Sequence, residues 1–452
     1  MLIQLPIYNE RHVVERLIRE VAAFDYPANL LTIQLLDDSD DDTPKIIKHA
    51  ISKIFVSGGP RVEHLRRANR EGYKAGALAY GLSQNTDEFV AIFDADFMPK
   101  PTFIKEILGY FSDPKIGMVQ TRWEHLNEGH SALTRVLGFA IDNHFSVEQG
   151  GRQASNCFIN FNGTAGMWRR KTIDEAGGWS SDCLTEDLDL SFRAQLIGWK
   201  FLFVEDMATP AELPTRVNSI RAQQSRWAKG AVETSRKNMF QLWASNSRFQ
   251  QKLVGSFHMI NSSIYLPTFI VGILSGIWPL IPGIQLGVRS AFLHISLLVS
   301  FVALGFTYWT SQTRGAFSLE KPGVFRFLER YVLFVALIIG FGIQSSRSVI
   351  EGLFGKSTAF VRTPKFNVVD GDTKTLSKSQ YADSYFPIEF YLEICAAIYY
   401  IAICVFCLRR GIYDLVDIYA FYGFGFGIII YYSISERLNS WLHRRVEPYA
   451  VR

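Results

Sequence analysis

The feature that most limits what this chain can fold into is where its long apolar runs fall. They lie at about 257–281, 290–311, 388–408 and 412–434, each near the roughly 20 residues needed to cross a bilayer. Before Phe257 the chain is instead dense in Asp, Glu, Lys and Arg. A soluble half joined to a membrane half is therefore expected, and 452 residues leave room for more than one core. A net charge of +4, thinly scattered, excludes a nucleic-acid partner. Cys157 and Cys183 lie far apart, while Cys395, Cys404 and Cys407 sit in an apolar run. The C-x-x-C spacing of Cys404 and Cys407 there reads as small apolar packing rather than a redox or zinc site, and a reducing setting fits. Because the residues from Leu2 to Pro6 already read as a strand, no signal peptide is expected and anchoring is expected from the C-terminal side.

A further apolar run, from Tyr331 to Ile343, is only 13 residues long before Gln344, Ser345, Ser346 and Arg347 interrupt it. That length suits a helix lying in the membrane interface, expected over 331–352. With four spans, Arg314, Lys321, Arg326, Arg330, Arg347, Lys356, Arg362, Lys365, Lys374 and Lys378 share one long loop. The tail adds Arg437, Arg444 and Arg445 on the same side, leaving only Arg289, Arg409 and Arg410 opposite. The positive-inside rule then puts the soluble half, residues 1–235, in the cytoplasm and makes 236–452 the membrane region.

Within the first 120 residues short apolar strands (Leu2 to Pro6, Leu31 to Leu36, Phe89 to Phe93) alternate with helical stretches such as Val13 to Phe24. This is the pattern of parallel βαβ units, whose ligands bind beyond the carboxyl ends of the strands. Acidic residues collect at those ends. Asp37 and Asp38 follow one strand, where carboxylates can accept hydrogen bonds from a base or ribose; Asp40, Asp41 and Asp42 suit a solvated turn and helix start. Asp94 and Asp96, one residue apart after another strand, can face one point and offer oxygen ligands to Mg²⁺ or Mn²⁺. Lys74 opens a helix of small residues, from which an ammonium can meet a phosphate or a base edge. In the run Thr185-Glu186-Asp187, Thr185 reads as a helix cap and Asp187 as a candidate general base. Offsets of three and four put Gln223, Arg226 and Trp227 on one helical face, where guanidinium suits a diphosphate and indole a sugar ring; a helix lying on a bilayer would use the same residues.

In this order and ahead of membrane spans, D-D, D-x-D, T-E-D and Q-x-x-R-W resemble the motifs of processive family 2 glycosyltransferases, the cellulose synthase superfamily. The stretches Leu5 to Glu10, Asn69 to Gly76, Thr121 to Asn127 and Gln223 to Gly230 look closest to its mannan and glucomannan synthases. The resemblance implies an α/β nucleotide-sugar-binding domain of the glycosyltransferase A fold, with a mixed, mostly parallel sheet, followed by an α-helical transmembrane region. It implies that Asp37 or Asp38, Lys74, Asp94 and Arg226 hold the nucleotide sugar and that Asp96, with Asp94, binds Mg²⁺ or Mn²⁺. It makes Asp187 the base. Phe161, Asn162, Gly163 and Thr164 would border the acceptor together with Glu186, Gln223 and Trp227. Phe360, Arg362, Thr363 and Lys365 fall in a segment, 358–370, that is similar to a cytoplasmic gating loop.

The implied reaction is inverting, metal-dependent transfer of a hexose from GDP-mannose or UDP-glucose to a glycan or glycolipid acceptor. A β-linked polysaccharide would form at the lipid bilayer, with room for partner subunits. The alternatives are a single transfer to a lipid or lipid phosphate, or a non-catalytic membrane scaffold that retains the fold.

Overall fold

A computed structural model describes residues 1–55, 59–281, 287–314, 322–356, 363–368 and 386–446. Seven strands, β1 (Leu2–Ile7), β2 (Thr32–Asp37), β3 (Arg61–Leu65), β4 (Phe89–Ile92), β5 (Ile116–His125), β6 (Gly166–Arg169) and β7 (Lys200–Ala211), form one sheet in the order β3-β2-β1-β4-β6-β5-β7. Only β6 runs antiparallel to its neighbours. The sheet is therefore mixed and mostly parallel, as the alternation in the sequence and the resemblance both imply.

Alternation along β1 explains why both faces are covered. Ile3, Leu5 and Ile7 enter one apolar core, shared with Val14, Leu17, Ile18 and Val21 of the helix Val14–Ala22. Leu2 turns to the opposite core, beside Ala75, Ala77, Leu78 and Leu82 of the helix Tyr73–Ser83. Each Val, Leu or Ile side chain among them contributes about 1.5–3 kcal/mol on burial. The polar residue between them, Gln4, is paired with Gln34 across the β1–β2 register at 3.2 Å, so the inner sheet carries no stranded amide donor there.

Among the described residues four helices, Phe249–Leu280, Ser290–Arg314, Ile388–Arg410 and Tyr413–Leu438, are long and apolar enough to cross a membrane. The 28-residue helix Val217–Ala244 joins them to the sheet. Its first backbone N–H donates to both carboxylate oxygens of Glu436 (2.9 and 3.2 Å), and Arg221 forms a buried ion pair with Glu393 at 2.5 Å. Both partners come from the last two apolar helices.

The stretch expected as one interface helix, 331–352, is two: Val324–Gly340 and Gly342–Leu353, separated at Phe341. The break falls where the chain comes against another backbone, since a Cβ on Gly340 would lie 2.5 Å from the Gly425 carbonyl oxygen. Two serines of the second helix are satisfied inside the protein. Ser346 donates to the Tyr265 carbonyl (3.1 Å) and Ser348 shares a hydrogen bond with Ser225 (2.7 Å). Of the long-loop cations, Lys321, Arg362, Lys374 and Lys378 lie outside the described residues, as does Phe360.

Candidate active site

The carboxyl ends of β1, β2, β4, β5 and β7 open on one side of the sheet, around a cleft of about 190 Å³. Its first wall comes from β1 and β2. Asn9, in the left-handed region at φ 57°, donates its N–H to Ser39 (2.8 Å) and its side-chain amide to Asp40 (2.7 Å). The acidic turn after β2 is thereby tied to the end of β1. Asp37 is buried and turned away from the cleft, where its carboxylate meets His64 at 2.8 Å and accepts the Ser39 N–H at 3.0 Å. Asp38 faces the cleft but is held by the Arg67 fork, through Nε at 3.0 Å and through Nη2. The Arg70 guanidinium lies 3.3 Å over the Tyr8 ring at the same wall.

The turn after β4 brings both its carboxylates to the cleft. Lys74 reaches across to donate to Asp94 Oδ1 (2.6 Å) and to the Gly163 carbonyl (2.9 Å). The Asp94 N–H is fixed by Thr164 Oγ1 at 2.9 Å. Asp96 receives a cation from much later in the chain, the Lys365 ammonium at 2.7 Å from Oδ2. Burial opposes the charge on Lys74, yet Asp94, Glu186 and Asp187 outweigh it and hold the ammonium above its usual range.

Among the described residues no group of three or more His, Cys, Asp and Glu side chains gathers as a ready metal cage. Two carboxylates at one turn still suit Mg²⁺ or Mn²⁺, which take oxygen ligands and complete their shell with water or phosphate oxygens. The ammonium seated on Asp96 marks this point as one that accepts a cation. The donor set therefore fits a hard divalent ion.

Opposite lies the helix Glu186–Leu196, with Asp187 in its first turn. Asp187 Oδ1 accepts the Leu188 N–H at 2.8 Å, while Oδ2 points at Gly163, where a Cβ would come within 2.9 Å of it. Gly163 has φ +83°, a backbone conformation that a larger residue would adopt only under strain. Burial, then the negative charge of Glu186, push the Asp187 carboxyl up to about 7. Burial also raises Glu186 and lowers Arg226, the latter against the attraction of Glu186, Asp94 and Asp187. Arg226 remains a cation, since guanidinium does not deprotonate in proteins.

Beyond Trp227 the cleft adjoins a second cavity of about 340 Å³, whose lining includes Trp123, Asn162, Asp187, Gln223 and Trp227, all shared with the first. Its far walls are aromatic: Tyr265, Tyr308, Phe334 and Phe341, all from the helical half. Asn162 is held on its rim by His144 Nε2 (2.8 Å) and Gln149 (3.2 Å).

The structure thus gathers Asp38, Lys74, Asp94, Asp96, Asn162, Gly163, Glu186, Asp187, Gln223, Arg226, Trp227, Thr363 and Lys365 around one cleft. Three expected residues are not on it. Asp37 is spent on His64; Phe161 packs edge-on against Trp168 in the core at 5.5 Å; Thr164 is fully buried beneath Asp94. Phe360 and Arg362 lie outside the described residues. Tyr8 and Glu212 are cleft residues that the sequence reading missed, although each stands just beyond the carboxyl end of a parallel strand. Applying the strand-end rule to β7, where Glu212 directly follows Ala211 at the strand's carboxyl end, was the signal that could have found it.

Residues 2–230 match the family model described as glycosyltransferase like family 2. The chain is 39% identical over 271 residues to glucomannan 4-beta-mannosyltransferase 2 of Arabidopsis thaliana, covering 58% of this chain and 51% of that protein. It is 32% identical over 366 residues to probable glucomannan 4-beta-mannosyltransferase 2 of Oryza sativa subsp. japonica, covering 79% and 60%. The chain spans about half the length of the curated relatives it matches. Among solved structures it is similar to the mannosyltransferase PcManGT from Pyrobaculum calidifontis in complex with GDP-Man and Mn²⁺. That likeness has a TM-score of 0.52 at 18% identity, covers 79% of this chain and 87% of the other, and is one of fold.

Proposed function

The chain belongs to the glycosyltransferase-like family 2, and on that premise we propose that it transfers mannose from GDP-mannose, with inversion, to the end of a β-linked glycan at the membrane. The observation that carries this reading is the Asp187 carboxylate, raised to about 7 and set at Gly163 between Lys74 and Arg226. A base poised near neutrality beside two cations is what displacement of a diphosphate by a sugar hydroxyl requires. The mannosyltransferase relatives and the GDP-Man bound by the fold neighbour support this choice of donor.

In this mechanism Asp187 takes the proton of the acceptor hydroxyl as its oxygen attacks the anomeric carbon. Arg226 and Lys74 hold the departing diphosphate, and Asp38 and the Tyr8–Arg70 stack carry the nucleoside. One in-line displacement at an α-linked donor leaves a β-linkage. A divalent ion held by Asp96 and Asp94 would supply Lewis-acid stabilisation of the leaving group. Asn162, Gln223 and Trp227 receive the acceptor, and the aromatic cavity behind them gives a chain longer than one sugar somewhere to lie. That favours a polymer over a single lipid-linked sugar.

Residues 1–235 act as the catalytic domain and 236–452 as the membrane region, with the cleft facing the cytoplasm as the loop cations favour. The test is to incubate the purified chain with labelled GDP-mannose or UDP-glucose and Mg²⁺ or Mn²⁺. A ladder of products digested by a β-mannan hydrolase is expected. A single sugar on lipid would sink the polymer reading, and incorporation from UDP-glucose alone would sink the donor.

A further inference from the structure

The segment 363–368 is seated on the cleft by a set of contacts independent of the nucleotide walls. Glu212, immediately after β7, accepts the backbone N–H groups of Phe366 (2.8 Å) and Asn367 (2.9 Å) on its two carboxylate oxygens. Arg16 bridges the segment to the D-x-D turn, donating to Asn367 Oδ1 and, at 3.1 Å, to the Asp96 carbonyl. Phe366 is 2% exposed, with the Arg216 guanidinium 4.9 Å over its ring, and Val368 is fully buried. This seat delivers the Lys365 ammonium into a closed position, 2.7 Å from Asp96 Oδ2 and 2.5 Å from the Glu212 carbonyl oxygen, with both charged side chains about nine-tenths buried (12% and 8% exposed).

The ammonium occupies the cleft-side oxygen of a carboxylate that is itself largely enclosed. We propose that Lys365 is a tethered competitor for the divalent-ion position at Asp96, displaced when metal and sugar nucleotide enter together. This rests on the reading that Asp96 takes the ion. The chemistry favours exchange: an ammonium is a single point charge on a flexible stem, whereas Mg²⁺ or Mn²⁺ brings two charges and a diphosphate supplies new oxygen partners for the released lysine. The consequence is ordered occupancy, in which metal alone binds weakly and metal with nucleotide binds well.

The experiment is a Mn²⁺ titration of the full chain in detergent, read by the loss of the free-ion EPR signal, without nucleotide. In Lys365→Met, which keeps length and apolar stem, Mn²⁺ should bind at least about fivefold more tightly. Phe366→Ala changes no charge and loosens only the seat, so it should tighten Mn²⁺ by a smaller factor. Asp96→Asn should lose the site. If Asp96→Asn loses Mn²⁺ but Lys365→Met is unchanged or weaker, the competitor is overturned while the metal reading stands. Tightening in Lys365→Met with none in Phe366→Ala means that the ammonium acts by its field from where it sits, which also overturns displacement. Mn²⁺ retained by Asp96→Asn overturns both.

Discussion

The ends of β2 and β4 carry the same kind of sequence, two aspartates in a tight turn, and the fold puts them to opposite uses. At β2 the partners are a histidine and two arginines placed by the adjacent strand: β3 pairs in register with β2, bringing His64 opposite Leu35, and Arg66 and Arg67 follow directly. These contacts are a buried imidazole and a bidentate fork, which lock geometry. At β4 the partners are lysines, one from a helix and one from 269 residues along the chain. Lysine is a point charge that can exchange partners. The difference teaches that carboxylate count alone does not mark a site; the kind of cation beside it separates a wall from a working surface.

The largest expected effect breaks the comparison at the third acidic end. Asp187→Asn should lower kcat by about 10²- to 10⁴-fold while leaving GDP affinity intact, as loss of a general base does. Asp37→Asn should do the reverse. It leaves His64 facing an amide in a buried place and should cost about 1–3 kcal/mol of stability, seen as a lower Tm, with turnover per folded molecule kept. Equal loss of turnover in both variants would erase the distinction between wall and working surface.

Acid should reveal the same division. The Asp187 carboxyl is held up to about 7 by burial and then by Glu186, so the base is protonated, and idle, below that value. The kcat/KM for transfer should fall toward about tenfold per pH unit under it. Glu186→Gln removes the neighbouring negative charge, lets Asp187 ionise at lower pH, and should move the acid limb to lower pH. An acid limb that stays in place in that variant would show that Glu186 does not set the base.

What was legible in the chain follows from how local each signal is. Strand ends announce themselves by an apolar run that stops at acidic residues, so the pairs Asp37–Asp38 and Asp94–Asp96 are legible in the sequence alone. The helical face of Gln223, Arg226 and Trp227 needed only a period of 3.6. The direction of Asp37 was not legible, because it depends on His64 in β3, a short strand with little apolar pattern of its own. Phe161 and Thr164 sit in a motif beside the acceptor wall, yet Phe161 turns into the core while Asn162 faces out, and the left-handed turn at Gly163 (φ +83°) breaks the alternation so that Thr164 is buried as well. Glu212 and its hold on Phe366 and Asn367 join positions more than 150 residues apart, and no periodicity encodes that. The division of 331–352 into two helices likewise depended on Gly425, far along the chain.

The smallest expected effect sharpens the comparison at β2 itself. Arg67 spends Nε and Nη2 on the two oxygens of Asp38, and its fork also reaches the carbonyls of Glu71 (2.7 Å) and Tyr73 (3.0 Å), the turn that opens the Lys74 helix. Arg67→Lys keeps the charge but can make only part of that set. If the β2 end is a wall, the loss is one of orientation: GDP should bind about three- to tenfold more weakly, roughly the effect of one hydrogen bond. The kcat should stay within about twofold, because Asp187, Lys74 and Arg226 keep their places. Calorimetric titration with GDP, alongside transfer rates at saturating donor, separates the two. A fall in kcat as large as the fall in affinity would mean that Arg67 reaches the transition state through the Lys74 helix, and the β2 end would then belong to the working surface.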